Sequence, residues 1–235
     1  KRICRRYAKE KMKIFIGFDS ELPSVFEVCK KSIERFSTDH EIIPLIRKDL
    51  INQGLYYRTP VPGESTEFSF TRFLVPYLSD FEGESLYCDH DFLWKCDPEE
   101  MTRFWPRHRD TAIVDTALMV VKHQLSDKVI LTEKMSGVQN KSYPKKCWSS
   151  LMLFKNKKFQ HMTPEYVNNA SPSDLHEFKW CDEDLIADLP LSYNYLVGYY
   201  DMKNPRAIHY TNGGPWLEEY KDTEFALEWK LLKNI

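Results

Sequence analysis

Met12-Lys13-Ile14-Phe15-Ile16-Gly17-Phe18 is a short β-rich run that closes on Asp19-Ser20, and Pro23 then opens an amphipathic segment. In that segment Val25, Phe26, Cys29, Ile33 and Phe36 recur at helical spacing, and a further apolar run occupies 41–46. Strand, helix, strand in so short a span favours a parallel pair joined by a right-handed crossover. The expectation is an α/β fold with a mostly parallel central sheet flanked by helices.

The remaining pattern extends this reading. Residues 53–65 are rich in Gly, Pro and Tyr without a period, which predicts a surface loop near the ligand face. Phe68, Phe70, Phe73, Leu74, Tyr77 and Leu78 predict a helix with an apolar face, with Arg72 projecting from another. Leu86-Tyr87-Cys88 is a strand ending in Asp89-His90-Asp91, and Asp97-Pro98-Glu99-Glu100 carries the N-cap, first-turn proline and acids of a helix start. Ala117-Leu118-Met119-Val120-Val121 predicts a central strand ending on Lys122-His123, and Ser150 to Phe154 another. Residues 126–146 form a long polar loop, 164–178 a helix interrupted at Ser171-Pro172, and 182–189 a short acidic helix or turn. With no repeat, low-complexity tract or linker, one domain over 12–235 is expected, with a basic leader over 1–11 outside the fold.

Composition narrows the function classes. The 235 residues are 42% hydrophobic and 29% charged, as in an ordinary soluble globular protein. A formal net charge of −2 argues against nucleic acid as the main partner. No stretch is long and apolar enough for a transmembrane segment. The six cysteines are scattered with no Cys-x-x-Cys pair, so neither a zinc site nor a dense disulfide framework is expected. A cytoplasmic, reducing setting is the simpler context.

Asp89 and Asp91 are the chemically distinctive pair. At the carboxyl end of a buried strand, where open α/β sheets bind ligands, two carboxylates suit a hard divalent cation such as Mn2+ or Mg2+, which shares oxygen ligands with substrate phosphates. The bland alternative is a strand end turning into solvent.

The order of the pieces resembles the nucleotide-sugar glycosyltransferases of the GT-A fold, and looks most like the glycogenin-like and lipopolysaccharide galactosyltransferase-like family 8. The matching segments are Phe15 to Ser20, Thr71-Arg72-Phe73-Leu74-Val75-Pro76-Tyr77-Leu78, Leu86 to Asp91, and His209-Tyr210-Thr211-Asn212-Gly213-Gly214-Pro215-Trp216. The resemblance implies a GT-A (Rossmann-like) single domain and a metal-dependent transfer of sugar from a nucleotide-sugar donor, a UDP-sugar, to a hydroxyl acceptor on a glycan or glycoconjugate, with retention. It implies Asp89, Asp91 and His209 as ligands of Mn2+ (or Mg2+), which acts as a Lewis acid on the departing diphosphate. Donor contacts are implied for Phe18, Asp19, Arg72, Asp89, His90, Lys122, Gly213, Gly214 and Trp216, with His123 an alternative to Lys122. Asp19 takes the nucleobase, Arg72 pairs with phosphate or sugar oxygens, and the two glycines let the backbone approach the diphosphate. Plainer roles stand beside these: Asp19 as a turn residue, Arg72 in a structural ion pair, His209 and Trp216 as core residues.

Two departures affect the mechanism. Trp180-Cys181-Asp182-Glu183-Asp184 is similar to the family's Asp-Gln-Asp segment, with Glu183 in place of the amide. The resemblance makes Glu183 and Asp182 the catalytic candidates, and a carboxylate can serve as nucleophile or base where an amide cannot. An acidic helix start is the plain reading of the same residues. Gly214 stands where the family carries a Lys before Pro-Trp, so another cation, Lys122 on this reading, must meet the diphosphate charge. Two other functions remain open on sequence: a non-catalytic nucleotide-sugar or carbohydrate-binding protein of the same fold, and a haloacid-dehalogenase-like phosphatase with Asp89 as nucleophile.

Overall fold

The computed structural model describes residues 11–60, 64, 66–106, 115–125, 133–134, 138–139 and 145–235. Most of the basic leader, most of the polar loop at 126–146 and part of the loop at 53–65 lie outside the described residues.

The chain begins with β1 (Lys13–Gly17), α1 (Pro23–Glu34), β2 (Glu41–Leu45) and α2 (Arg47–Asn52). A 3-10 turn (Thr71–Leu74) runs into α3 (Val75–Leu78), then β3 (Glu84–Cys88), β4 (Phe92–Trp94), a 3-10 helix (Pro98–Phe104) and β5 (Leu118–Val120). A short hairpin, β6 (Glu133–Lys134) and β7 (Val138–Gln139), precedes β8 (Leu151–Lys155), α4 (Pro164–Asn169) and α5 (Pro172–His176). The last elements are β9 (Ile186–Asp188), β10 (Tyr195–Leu196), β11 (Ala207–His209) and α6 (Ala226–Lys233).

The main sheet has the order β2-β1-β3-β8-β5-β9. β8 runs antiparallel to both its neighbours, and the β1–β2, β1–β3 and β5–β9 pairs are parallel. The mostly parallel sheet expected from the β-α-β pattern is therefore present. Side chains alternate across it: Phe15, Tyr87, Val120, Met152 and Phe154 enter one core, whereas Ile14, Ile16, Leu86, Cys88, Met119 and Leu153 enter the other. Burial of both faces explains why these strands read as continuous apolar runs. Phe26, Cys29 and Ile33 of α1 cover the second face, and Val75, Val167, Leu175, Phe178 and Trp180 cover the first. A smaller sheet, β10-β11-β4, packs with α1 and α6 through Leu93, Tyr195, Ile208, Val28 and Trp229.

Several expectations need correction. Phe36 lies beyond the end of α1 and is 44% exposed, because the helix stops at Glu34. The helix expected around 68–78 is a 3-10 turn followed by one α turn, and Arg72 points inward instead of projecting from a polar face. The acidic stretch at 182–189 is a 3-10 turn (Glu183–Leu185) followed by edge strand β9. The Ala117 N–H donates to the Leu185 carbonyl, and the Lys122 N–H to Asp188 Oδ1.

Candidate metal centre

The register of two strand pairs builds the site. β3 pairs with β8 as far as Cys88↔Leu151, and the next residue, Asp89, donates its N–H to the Ser150 carbonyl at 3.0 Å. The chain turns a corner over 89–91 and enters β4, which pairs antiparallel with β11 through His209↔Phe92. Tyr210 then donates its N–H to the Asp91 carbonyl at 3.1 Å, and the Phe92 and His209 rings stack with centroids 4.5 Å apart. One turn between two sheets thus brings the acidic pair to a histidine more than a hundred residues away.

One ligand atom from each of Asp89, Asp91 and His209 lies within 4.8 Å of the others. His209 Nε2 is 3.4 Å from Asp91 Oδ1, with both side chains buried. Asp89 Oδ1 accepts from Tyr87 Oη at 2.6 Å and faces Arg72 Nη1 at 2.9 Å. Burial holds the Asp89 carboxyl above the usual carboxylate range; Arg72 opposes that shift and Asp91 adds to it. One partly buried and one buried carboxylate and an imidazole on one point form an O/O/N donor set that could hold a divalent cation. A cation there would relieve the repulsion between the acids, so the residues fit the ion.

The groups behind these ligands are hydrogen-bonded in turn. Arg72 Nε donates to the Phe68 carbonyl and Nη1 to the Ser149 carbonyl, at 3.1 and 3.0 Å. His209 Nδ1 lies 2.9 Å from Asn194 Oδ1, Asn194 Nδ2 donates to Ser150 Oγ at 3.0 Å, and Ser150 Oγ donates to the Cys147 carbonyl at 2.7 Å. Sequence reasoning missed Asn194, since Leu191-Ser192-Tyr193-Asn194 carries no spacing signal. Only the long-range contact reveals it.

Other sequence-derived candidates sit around this centre. His90 is buried with its ring edge against Phe68, and burial lowers its pKa. Gly17, at the end of β1, admits the Phe68 ring: a Cβ there would lie 2.5 Å from it. Phe18 packs edge-on against Phe26, and Asp19 Oδ1 accepts the Glu21 N–H at 3.0 Å, as a turn residue does. Lys122 and Lys145 place Nζ 5.6 and 5.5 Å from the Trp148 ring centroid. His123 is held neutral, its pKa pushed down to about 3 by burial and by His209, and its Nδ1 lies 3.0 Å from Tyr200 Oη.

Gly213 has φ of 124°, a backbone conformation that L side chains rarely adopt. A Cβ on Gly214 would lie 2.2 Å from the Trp216 ring. That indole, set against Tyr210 and Trp229, occupies the space a side chain at 214 would need, which accounts for the glycine at this position. Trp216 packs against the core that the smaller sheet shares with α1 and α6. Glu183 is largely exposed and pairs with Lys145 Nζ at 3.1 Å; Asp182 and Glu183 precede β9. The described contacts tie Glu183 to Lys145, not to the Asp89, Asp91 and His209 cluster.

The architecture matches solved glycosyltransferases. GlyE of Streptococcus pneumoniae TIGR4 superposes with a TM-score of 0.60 at 16% identity over 96% of this chain, which spans only 60% of GlyE's length. An active-site mutant of LgtC superposes with a TM-score of 0.59 at 13% identity over 95% of both chains. A complex of the galactosyltransferase LgtC with donor and acceptor sugar analogs gives 0.56 at 12% identity over the same shares. These likenesses define the class of fold, a GT-A-type glycosyltransferase fold, with which family 8 is compatible. No protein-family profile matches the chain. It is 39% identical over 237 residues to Protein CDI of Arabidopsis thaliana, covering 96% of this chain and 88% of that protein, and it belongs to the same family.

Proposed function

We propose that this chain is a metal-dependent glycosyltransferase that moves a sugar from a nucleotide donor, a UDP-sugar, to a hydroxyl of a glycan or glycoconjugate, with retention at the anomeric carbon. The observation that carries the reading is the convergence of Asp89, Asp91 and His209 at the β3–β4 corner of a GT-A fold. Mn2+ or Mg2+ held by these three residues supplies Lewis acidity to the diphosphate that leaves the sugar.

The chain's own residues do the rest. Asp19 and Phe18, at the end of β1, receive the nucleobase. His90, whose pKa burial lowers, and the backbone at Gly213 and Gly214 line the donor. Trp216 backs that segment. Lys122 and Lys145 supply the cations that Gly214 does not. Arg72, anchored by Nη1 to Asp89 and by Nε and Nη1 to two carbonyls, supports the donor beside Asp89. Glu183, with Asp182 beside it, is the proposed carboxylate for the reacting centre. In the transfer the bond from anomeric carbon to diphosphate oxygen breaks, the acceptor oxygen bonds to that carbon, and the acceptor proton leaves to a base.

A haloacid-dehalogenase-like phosphatase fits this chain less well, because the Asp-x-Asp follows β3 instead of the first strand. The proposal covers a single domain over 12–235. It also places the protein in a reducing cytoplasm, in keeping with six cysteines scattered along the sequence without a Cys-x-x-Cys pair. Among the described residues no helix is long and apolar enough to cross a membrane. The test is hydrolysis of a UDP-sugar panel with Mn2+ and with chelator. Metal-dependent release of UDP supports the proposal. Binding of a UDP-sugar without turnover supports the non-catalytic alternative, and neither binding nor turnover overturns both.

A further inference from the structure

Asn194 is fully buried, between a 3-10 turn (Leu191–Tyr193) and β10, and its amide faces His209 on one side and Ser150 on the other. The orientation of that amide follows from Ser150. The Ser150 hydroxyl gives its hydrogen to the Cys147 carbonyl at 2.7 Å, so towards Asn194 it can only accept. Asn194 must therefore turn its NH2 to Ser150, at 3.0 Å, and its oxygen to His209 Nδ1, at 2.9 Å. An amide oxygen cannot donate, so Nδ1 carries the hydrogen. The Nε2 lone pair is then left on the side of Asp91.

We propose that Asn194 is the positioning residue of the candidate metal centre. Through the chain Cys147 carbonyl, Ser150 hydroxyl and Asn194 amide, it fixes His209 in the tautomer whose Nε2 faces Asp89 and Asp91. A metal-bound histidine needs its coordinating nitrogen free of hydrogen and its ring held by a bond at the other nitrogen; this chain supplies both before any ion arrives. Cys147 is a left-handed residue, φ 64°, in the turn that also carries Lys145, the partner of Glu183. The relay thus ties the ligand geometry to the turn that holds the proposed catalytic carboxylate.

The inference rests on the metal reading of the site, and the test separates the two. Mn2+ affinity is measured by calorimetry on the full 235-residue chain and on Asn194→Leu, Asn194→Asp and Ser150→Ala. Asn194→Leu removes the acceptor and is expected to weaken Mn2+ binding by about 10- to 100-fold, while Asn194→Asp, which keeps an acceptor, stays within about threefold. Ser150→Ala frees the amide to rotate and falls between them, and it decides the question if Asn194→Leu does not fold. Folded variants that all bind Mn2+ as the wild type does overturn the role of Asn194 alone. A wild type that binds no Mn2+ overturns the metal reading and the inference with it. The tautomer is read independently by long-range 1H–15N correlation on the metal-free wild type: hydrogen on His209 Nδ1 is expected, and hydrogen on Nε2 alone overturns the relay.

Discussion

Arg72 Nη1 lies 2.9 Å from Asp89 Oδ1, with the two side chains 7% and 14% exposed. Tyr87 donates to the same carboxylate oxygen at 2.6 Å. The first acid of the Asp-x-Asp is thus held by the protein through one of its oxygens. An exposed pair of this kind would contribute little, but a buried one leaves an uncompensated charge when one partner is removed.

Arg72→Ala should therefore destabilise the fold by about 3–5 kcal/mol, seen as a lower midpoint in urea unfolding. It should also push the Asp89 carboxyl further up, because Arg72 lowers its pKa. Protons then compete with the metal to a higher pH, and the pH midpoint of Mn2+ binding should rise. An unchanged midpoint in a folded variant would separate Arg72 from the centre.

His123 gives a pH signature of a different kind. Its pKa is pushed down to about 3 in the folded state, whereas an unfolded histidine titrates near 6.5. Between those values the unfolded chain binds the extra proton, so stability rises with pH there. The stability due to neutral His123 is complete above 6.5 and is lost as pH falls towards 3. Comparing His123→Gln with the wild type by thermal unfolding across this window should show a flatter acid limb in the variant. Parallel limbs would contradict it.

At Gly214 the obstacle is steric. Gly214→Ala would put a Cβ into the Trp216 ring, and overpacking of that order costs about 1–3 kcal/mol. A drop in Tm is expected, and shortening Trp216 in the same chain should recover part of it. A variant as stable as the wild type would show that the indole moves aside freely.

Glu183→Gln separates chemistry from structure. The pair with Lys145 is largely exposed on the Glu183 side, so its loss should change stability by less than about 1 kcal/mol. If Glu183 takes part in the reaction, kcat should fall by about 100-fold or more, with KM for the donor little changed. Equal kcat in both forms would return Glu183 to the surface ion pair.

What could be read in the sequence was what is local. The spacing of Val25, Phe26, Cys29 and Ile33 gives α1, and the apolar runs ending at Gly17 and Cys88 give β1 and β3, because one buried face or a doubly buried strand leaves its period in the sequence. Arg72 escaped because its burial depends on acceptors at Phe68, Ser149 and Asp89, of which only one is nearby in the chain. Strand β9 escaped because three residues with Asp188 among them carry no period, and it is the edge of β5 that makes them a strand. Of the candidate centre, the acids and His209 were legible by resemblance. Asn194 was not, because its role exists only where Ser150 and His209 meet.

If Asp89, Asp91 and His209 hold a divalent cation, nucleotide-sugar binding depends on it. The direct measurement is calorimetric titration of UDP into the wild type and into Asp91→Ala, each with Mn2+ and with chelator. UDP is expected to bind the wild type only with Mn2+, and Asp91→Ala, folded and with Mn2+ present, to bind it at least about 100-fold more weakly. Equal UDP affinity in the two proteins, or binding to the wild type that ignores the metal, would contradict that dependence.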